Sequence, residues 1–271
     1  MAAMRLNLTE RLKHLLPVVL LRSTGKATNI LWREQGYLRS VVQQRCVDAT
    51  GAPVPWYTYP AIEFLKGLDF TDKAVFEYGS GSSTLFWGAR AARVVSIEHS
   101  PEWFETVSHR ASSNCTVTLE TDPVAYIRAI ERTDATYDVI AVDGIVPDRA
   151  RAKCAMLALR HLAPGGLIVL DNSDYLPGST RLLRMAGLIQ VDMSGLGPSN
   201  DYAWTTSLFL RRDYALQPLG GRQPHHPIGG LDQNWEPALE RRLTEPGALS
   251  PLPRGDWSTA SADELLKLVT D

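Results

Sequence analysis

The residues of this 271-residue chain whose types and spacing bear chemistry are acidic side chains set at the ends of apolar runs. The first is Glu77, in Phe76-Glu77-Tyr78-Gly79-Ser80-Gly81-Ser82-Ser83. Two glycines one residue apart, between an apolar run and a helix-compatible stretch, let backbone N–H groups approach a ligand closely. A carboxylate two residues ahead of the first glycine repels a phosphate and favours a cationic group. Thr84 stands where a dinucleotide fingerprint has its third glycine. Glu98 ends the next apolar run, 17 residues beyond Gly81, where a carboxylate can accept hydrogen bonds from both hydroxyls of a ribose; the plainer role is a solvated strand-end acid. Asp122, in Thr121-Asp122-Pro123, suits either an adenine amino group or a helix cap. His99 suits a general base or a hydrogen bond on the ligand side. Farther along, two runs end in Asp143 and in Asp171-Asn172, 28 residues apart. Two carboxylates and an amide oxygen are hard donors suited to Mg²⁺. The alternative has Asp143 orienting a ligand while Asp171-Asn172 caps a strand.

Buried parallel strands alternating with helices would bring these residues together. Short apolar runs recur between amphipathic stretches, the rhythm of an α/β fold. Strands are expected at 74–78, 93–98, 115–119, 137–142 and 167–170, with helices at about 85–92, 102–111, 124–132, 148–162 and 179–186 between and after them. Two further strands, 188–193 and 205–211, form a final hairpin, which gives a Rossmann-like sheet of seven strands with helices on both faces. Ligands of open α/β sheets bind beyond the carboxyl ends of the strands, where these acids fall.

Three segments follow: a helical and then loop-like extension at 1–60, the ligand-binding domain at 61–212, and a Pro/Gly-rich extension at 213–271. Ser261-Ala-Asp-Glu264 reads as a capping box for a short last helix. The tail is expected to wrap the domain or to be partly disordered rather than to form a second domain. In the first extension, Trp56, Tyr57 and Tyr59 either close over a bound cofactor or cover an apolar edge, with Tyr59 taken as the cofactor contact.

The formal charge of −2 supplies no general attraction to nucleic acid or anionic membrane. The apolar run 15–21 contains Pro17 and stops at Arg22, far short of the ~20 residues of a membrane span. Three cysteines with no C-x-x-C pair are expected to be reduced thiols in a cytoplasmic protein.

A ligand without phosphate but carrying an ammonium and a sulfonium suits Glu77, and S-adenosylmethionine is such a molecule. Glu77-x-Gly79-x-Gly81, Glu98, Asp143 and Pro164-Gly-Gly-Leu-Ile-Val-Leu-Asp171 together resemble the ordered motifs of class I S-adenosylmethionine-dependent methyltransferases. Ser83 stands where that family often has a third glycine. The block 55–65 and the segment from Gly195 to Phe209 are similar to a bacterial branch of the class. The resemblance implies a cofactor cradle of Glu77, Gly79, Ser80, Gly81, Ser83, Glu98, His99, Asp122, Asp143 and Tyr59. It implies no substrate; methyl transfer to a small-molecule acceptor, at a hydroxyl oxygen, is the expectation, with Asp143 and His99 as the acid–base candidates. Asp143, Asp171 and Asn172 are similar to the Mg²⁺ site of the catechol and caffeoyl-CoA O-methyltransferases. Those enzymes carry a lysine just after the first aspartate; here Gly144-Ile-Val-Pro-Asp148, Arg149 and Arg151 follow. The alternatives are a nicotinamide-dependent oxidoreductase and a non-catalytic partner protein of the same fold.

Overall fold

The computed structural model describes residues 18–144, 150–231, 233–244 and 261–262. Helix α1 (Val18–Asn29) runs into a π-helical turn (Ile30–Glu34), and α2 (Tyr37–Gln43) follows. Helix α3 (Tyr59–Lys66) carries Pro60 in its first turn, where a missing N–H costs nothing. The alternating part then reads β1 (Ala74–Tyr78), α4 (Ser82–Gly88), β2 (Arg93–Glu98), α5 (Pro101–Ser108), β3 (Cys115–Leu119), α6 (Pro123–Ile127), β4 (Tyr137–Val142), α7 (Ala150–His161) and β5 (Leu162–Leu170). It closes with α8 (Pro177–Met185), β6 (Ile189–Gly195) and β7 (Trp204–Leu210).

The seven strands form one Rossmann-like sheet in the order β3-β2-β1-β4-β5-β7-β6. Strands β1 to β5 are mutually parallel, and β7 runs antiparallel between β5 and β6. The order reverses between β1 and β4, the switch point where the crossovers leave a crevice beyond the strand ends. Successive side chains point to opposite faces. Val75, Val139, Ala141 and Val169 therefore build one core with Tyr57, Phe86 and Trp87, and Phe76, Tyr78, Ile140 and Ile168 build the other. On the first face the same alternation continues to Glu77, Asp143 and Asp171.

Strand β5, expected from 167, begins at Leu162, so Pro164-Gly165-Gly166 lies inside the strand; a register shift between Tyr137 and Val139 absorbs the irregularity. The helix expected at 124–132 is α-helical only to Ile127 and continues as a 3₁₀ turn, Arg128–Arg132.

The flanking segments are bonded into the sheet's surroundings. Thr58 N donates to Thr206 Oγ1 at 3.1 Å and Thr58 Oγ1 to the Met193 carbonyl at 2.6 Å. After β7, Ala215 N donates to the Gly165 carbonyl at 3.0 Å, Asp69 N to that of Gln217 at 2.8 Å, and Leu219 N to that of Gly67 at 2.8 Å. The chain up to Gly229 forms one compact unit and the residues from Gly230 a second, in which α9 (Pro237–Thr244) is the described helix. Half of the expected capping box, 263–264, lies outside the described residues, as do 145–149. Cys46, Cys115 and Cys154 are free thiols, and among the described residues no helix is long and apolar enough to cross a membrane.

Candidate functional site

The loop from β1 to α4 is held by its own acids. Gly79, at φ 95°, turns the chain, and a Cβ there would lie 2.9 Å from the Gly144 backbone, so β1 and β4 end in backbone contact. Glu77 is fully buried; its Oε2 accepts from Thr84 Oγ1 at 2.6 Å and from Ser96 Oγ at 2.7 Å. Thr84 Oγ1 in turn accepts from Gly81 N at 3.0 Å, so the carboxylate holds the glycine loop through one hydroxyl. Glu77 Oε1 has no hydrogen-bond partner, although the Ser83 hydroxyl lies close enough to favour the ionised form. Burial pushes this carboxyl up to about 7, against the opposing pull of Ser83, Thr84 and Ser96.

Glu98, at the end of β2, is engaged at both oxygens. Ser80 N at 2.7 Å and Ser80 Oγ at 3.0 Å donate to Oε2, while His99 N and Ser100 N, each at 2.8 Å, donate to Oε1. The ribose role expected of Glu98 thus requires it to exchange one of these bonds, and the rotatable Ser80 hydroxyl is the easiest to give up. His99 Nδ1 lies 3.0 Å from Glu98 Oε1 without hydrogen-bond geometry, and its ring faces Tyr126 edge-on at 6.0 Å. It stands beside Glu98, two strands over from Asp143 in the sheet order. Asp122 caps α6, accepting from Ala125 N at 2.8 Å, which is the cap alternative of the sequence reading.

At the other end of the crevice β4 and β5 deliver Asp143 and Asp171 as neighbours, since Val142 pairs with Leu170. Asp171 is buried and turned toward β7, where its Oδ1 accepts from Thr206 Oγ1 at 2.5 Å and Trp204 Nε1 at 3.0 Å. Burial, with Asp143 adding to it, pushes its carboxyl up to about 8. Asp143 is likewise lifted by burial, partly offset by Arg151; its side chain keeps 28% of its surface open. Arg151 reaches from α7 across both strand ends. Its Nε donates to the Gly144 carbonyl at 3.0 Å, and its Nη1 to the Asp171 carbonyl at 2.7 Å and to Asn172 Oδ1 at 3.0 Å. Its Nη2 donates to the Asp143 carbonyl and, at 3.3 Å, to Asp143 Oδ1.

Two residues whose roles the sequence left open take definite places here. Tyr57 is fully buried, its hydroxyl has no partner, and the charges acting on it are Asp143, Glu77, Asp171 and Arg151. Tyr59, expected to face the cofactor, instead has Cys46 and Tyr37 as its electrostatic neighbours. The reason is local: Thr58 is the N-cap of α3, so the alternation that would align Tyr57 and Tyr59 ends between them. Thr58-Tyr59-Pro60 carried that signal, a cap residue just ahead of a first-turn proline. Arg151 is the second, because nothing in a linear sequence tells a clasp from a solvated helix charge.

The two expected ligands fare differently against these residues. For S-adenosylmethionine the cradle fits: Glu77 Oε1 and the Tyr57 and Tyr126 hydroxyls are buried and unpartnered around an acidic, glycine-lined crevice. Orphaned buried polar atoms of this kind call for a polar ligand, and the acidic lining favours a cationic one. For Mg²⁺ the donor set does not fit. Asp171 is committed to β7, and Arg151 already occupies the space among Asp143, Asn172 and the strand-end carbonyls. Among the described residues no cluster of three or more His, Cys, Asp or Glu could hold a metal ion.

Residues 76–173 match the family model Methyltransf_24, a methyltransferase domain. No curated protein matches the chain. Among solved structures, the chain is similar to precorrin 8W decarboxylase of Methanobacterium thermoautotrophicum, at 17% identity over 62% of this chain and 96% of that one, with a TM-score of 0.43. Precorrin-6y C5,15-methyltransferase of Geobacter metallireducens GS-15 aligns at 14% identity over 55% and 87%, TM-score 0.45. The N-methyltransferase NodS of Bradyrhizobium japonicum WM9, in complex with S-adenosyl-L-homocysteine, aligns at 16% over 52% and 78%, TM-score 0.41.

Proposed function

We propose that this chain, which carries a class I S-adenosylmethionine-dependent methyltransferase domain, moves the methyl group to a hydroxyl oxygen of a small-molecule acceptor, with Asp143 receiving the hydroxyl proton. The observation that carries the reading is Asp143 itself: a strand-end carboxylate of raised pKa, beside the cofactor crevice and still open to solvent. A hydroxyl acceptor must lose a proton as its oxygen attacks, and a carboxylate of raised basicity within reach takes it. When bound, S-adenosylmethionine supplies an electrophilic methyl on a sulfonium that is already a good leaving group. The chain's own contribution is therefore position and charge. Glu77 and the loop 79–83 hold the cationic end, Glu98 and Ser80 take the ribose, Tyr57 roofs the crevice, and Asp143 orients and deprotonates the acceptor. His99 supports Glu98 rather than the acceptor.

Incubation with radiolabelled methyl donor and separate panels of hydroxyl, amine and RNA acceptors tests this. Label is expected on hydroxyl oxygen, and Asp143→Asn should lower kcat by about 10²–10⁴-fold while leaving S-adenosylhomocysteine affinity within a few-fold. Transfer to nitrogen, carbon or RNA, or full turnover by Asp143→Asn, would contradict the reading. Binding of NAD without S-adenosylhomocysteine would return the oxidoreductase alternative.

A further inference from the structure

Arg151, on α7, is a charged side chain that is only 15% exposed, and all five of its N–H donors are used. Their partners are the carbonyls of Asp143, Gly144 and Asp171, Asn172 Oδ1 and Asp143 Oδ1. Asn172 adopts φ 52°, ψ 38° as it presents that oxygen, a left-handed conformation that asparagine tolerates. Five oxygens converging from two strand ends are the kind of hard donor set a divalent cation takes. Here a guanidinium fills it.

We infer that Arg151 is the built-in cation of the acceptor end: it takes the place a divalent metal would occupy between β4 and β5, fixes the Asp143 carboxylate, and makes the site metal-independent. A planar fork of donors suits this role where lysine does not, because a point charge with three donors cannot satisfy five oxygens. With every donor spent inside the protein, Arg151 acts as a positioning residue and does not recruit an anionic acceptor. The inference does not depend on which acceptor the enzyme uses, so its test reads cation occupancy rather than turnover.

Mn²⁺ titration of the full chain, followed by the loss of the free-ion electron paramagnetic resonance signal, is that test. Wild-type protein should leave the signal of the free ion unchanged. Arg151→Met keeps the apolar stem and removes the guanidinium; once its fold is checked by circular dichroism, it should take up one Mn²⁺ per chain, and Asp143→Asn added to it should abolish that uptake. Stoichiometric Mn²⁺ binding by wild-type protein that Asp143→Asn removes would overturn the inference, a measurement that holds even if Arg151→Met does not fold. A folded Arg151→Met that binds no Mn²⁺ would overturn it as well.

Discussion

Two buried carboxyls carry the pH behaviour of the molecule. Glu77 is raised to about 7 and Asp171 to about 8, both chiefly by burial. In the unfolded chain such groups titrate near 4. Between that value and the folded one, the folded protein holds protons that the unfolded chain has released, so stability must fall as pH rises through 7 and 8. The ligand-free protein is expected to melt at lower temperature at pH 9 than at pH 5.5, by about 2–4 °C for each kcal/mol lost. Glu77→Gln and Asp171→Asn should each flatten that slope in thermal melts; an unchanged slope in both variants would show that these carboxyls are not the source. A cationic ligand beside Glu77 reverses the preference and favours the ionised form. S-adenosylmethionine should therefore bind more tightly as pH rises from 6 to 7.5, releasing protons that calorimetry in buffers of different ionisation enthalpy can count.

The loop between β1 and α4 is the element on which the proposed cofactor end depends. Thr84→Val removes the hydroxyl linking Gly81 N to Glu77, leaving Gly81 N without its acceptor and Glu77 Oε2 held by Ser96 alone, a change worth roughly 1–3 kcal/mol. It should weaken S-adenosylhomocysteine binding by at least about tenfold, and Thr84→Ser, which keeps the hydroxyl, should restore most of it. Equal affinity in the valine variant would show that the clasp does not matter to the ligand. The elements were largely legible in the sequence, because an apolar run ending in an acid is a pattern that burial itself imposes. Strands β1 to β4 fall at the residues expected from it. Strand β5 was less legible, since Pro164-Gly165-Gly166 carries turn chemistry that tertiary pairing overrides. In the site, Glu77, Glu98, Asp143 and Asp171 could be read because their spacing follows strand ends. Which partner each one takes could not: Asp171 turns to Trp204 and Thr206, 33 and 35 residues away, and it is Tyr57, not Tyr59, that feels the charges of Glu77, Asp143 and Asp171.

At the scale of the molecule, the crevice exists because the strand order reverses between β1 and β4, and the segment after β7 is bonded at the opposite, amino-terminal ends of β1 and β5. Residues 213–219 hold Gly67, Asp69 and Gly165 by backbone hydrogen bonds, so ending the chain after Arg212 should lower the melting temperature by many degrees. Ending it after Gly229, at the boundary of the two compact units, should leave both the melt and ligand affinity nearly intact. The central claim is that this crevice binds S-adenosylmethionine through Glu77, Glu98 and the glycine loop. Calorimetric titration of wild-type, Glu98→Ala and Gly79→Arg proteins with S-adenosylhomocysteine tests it most directly. One site per chain with affinity in the micromolar range, lost in both variants, is the predicted result. No binding by wild-type protein, or equal binding by all three, would contradict it.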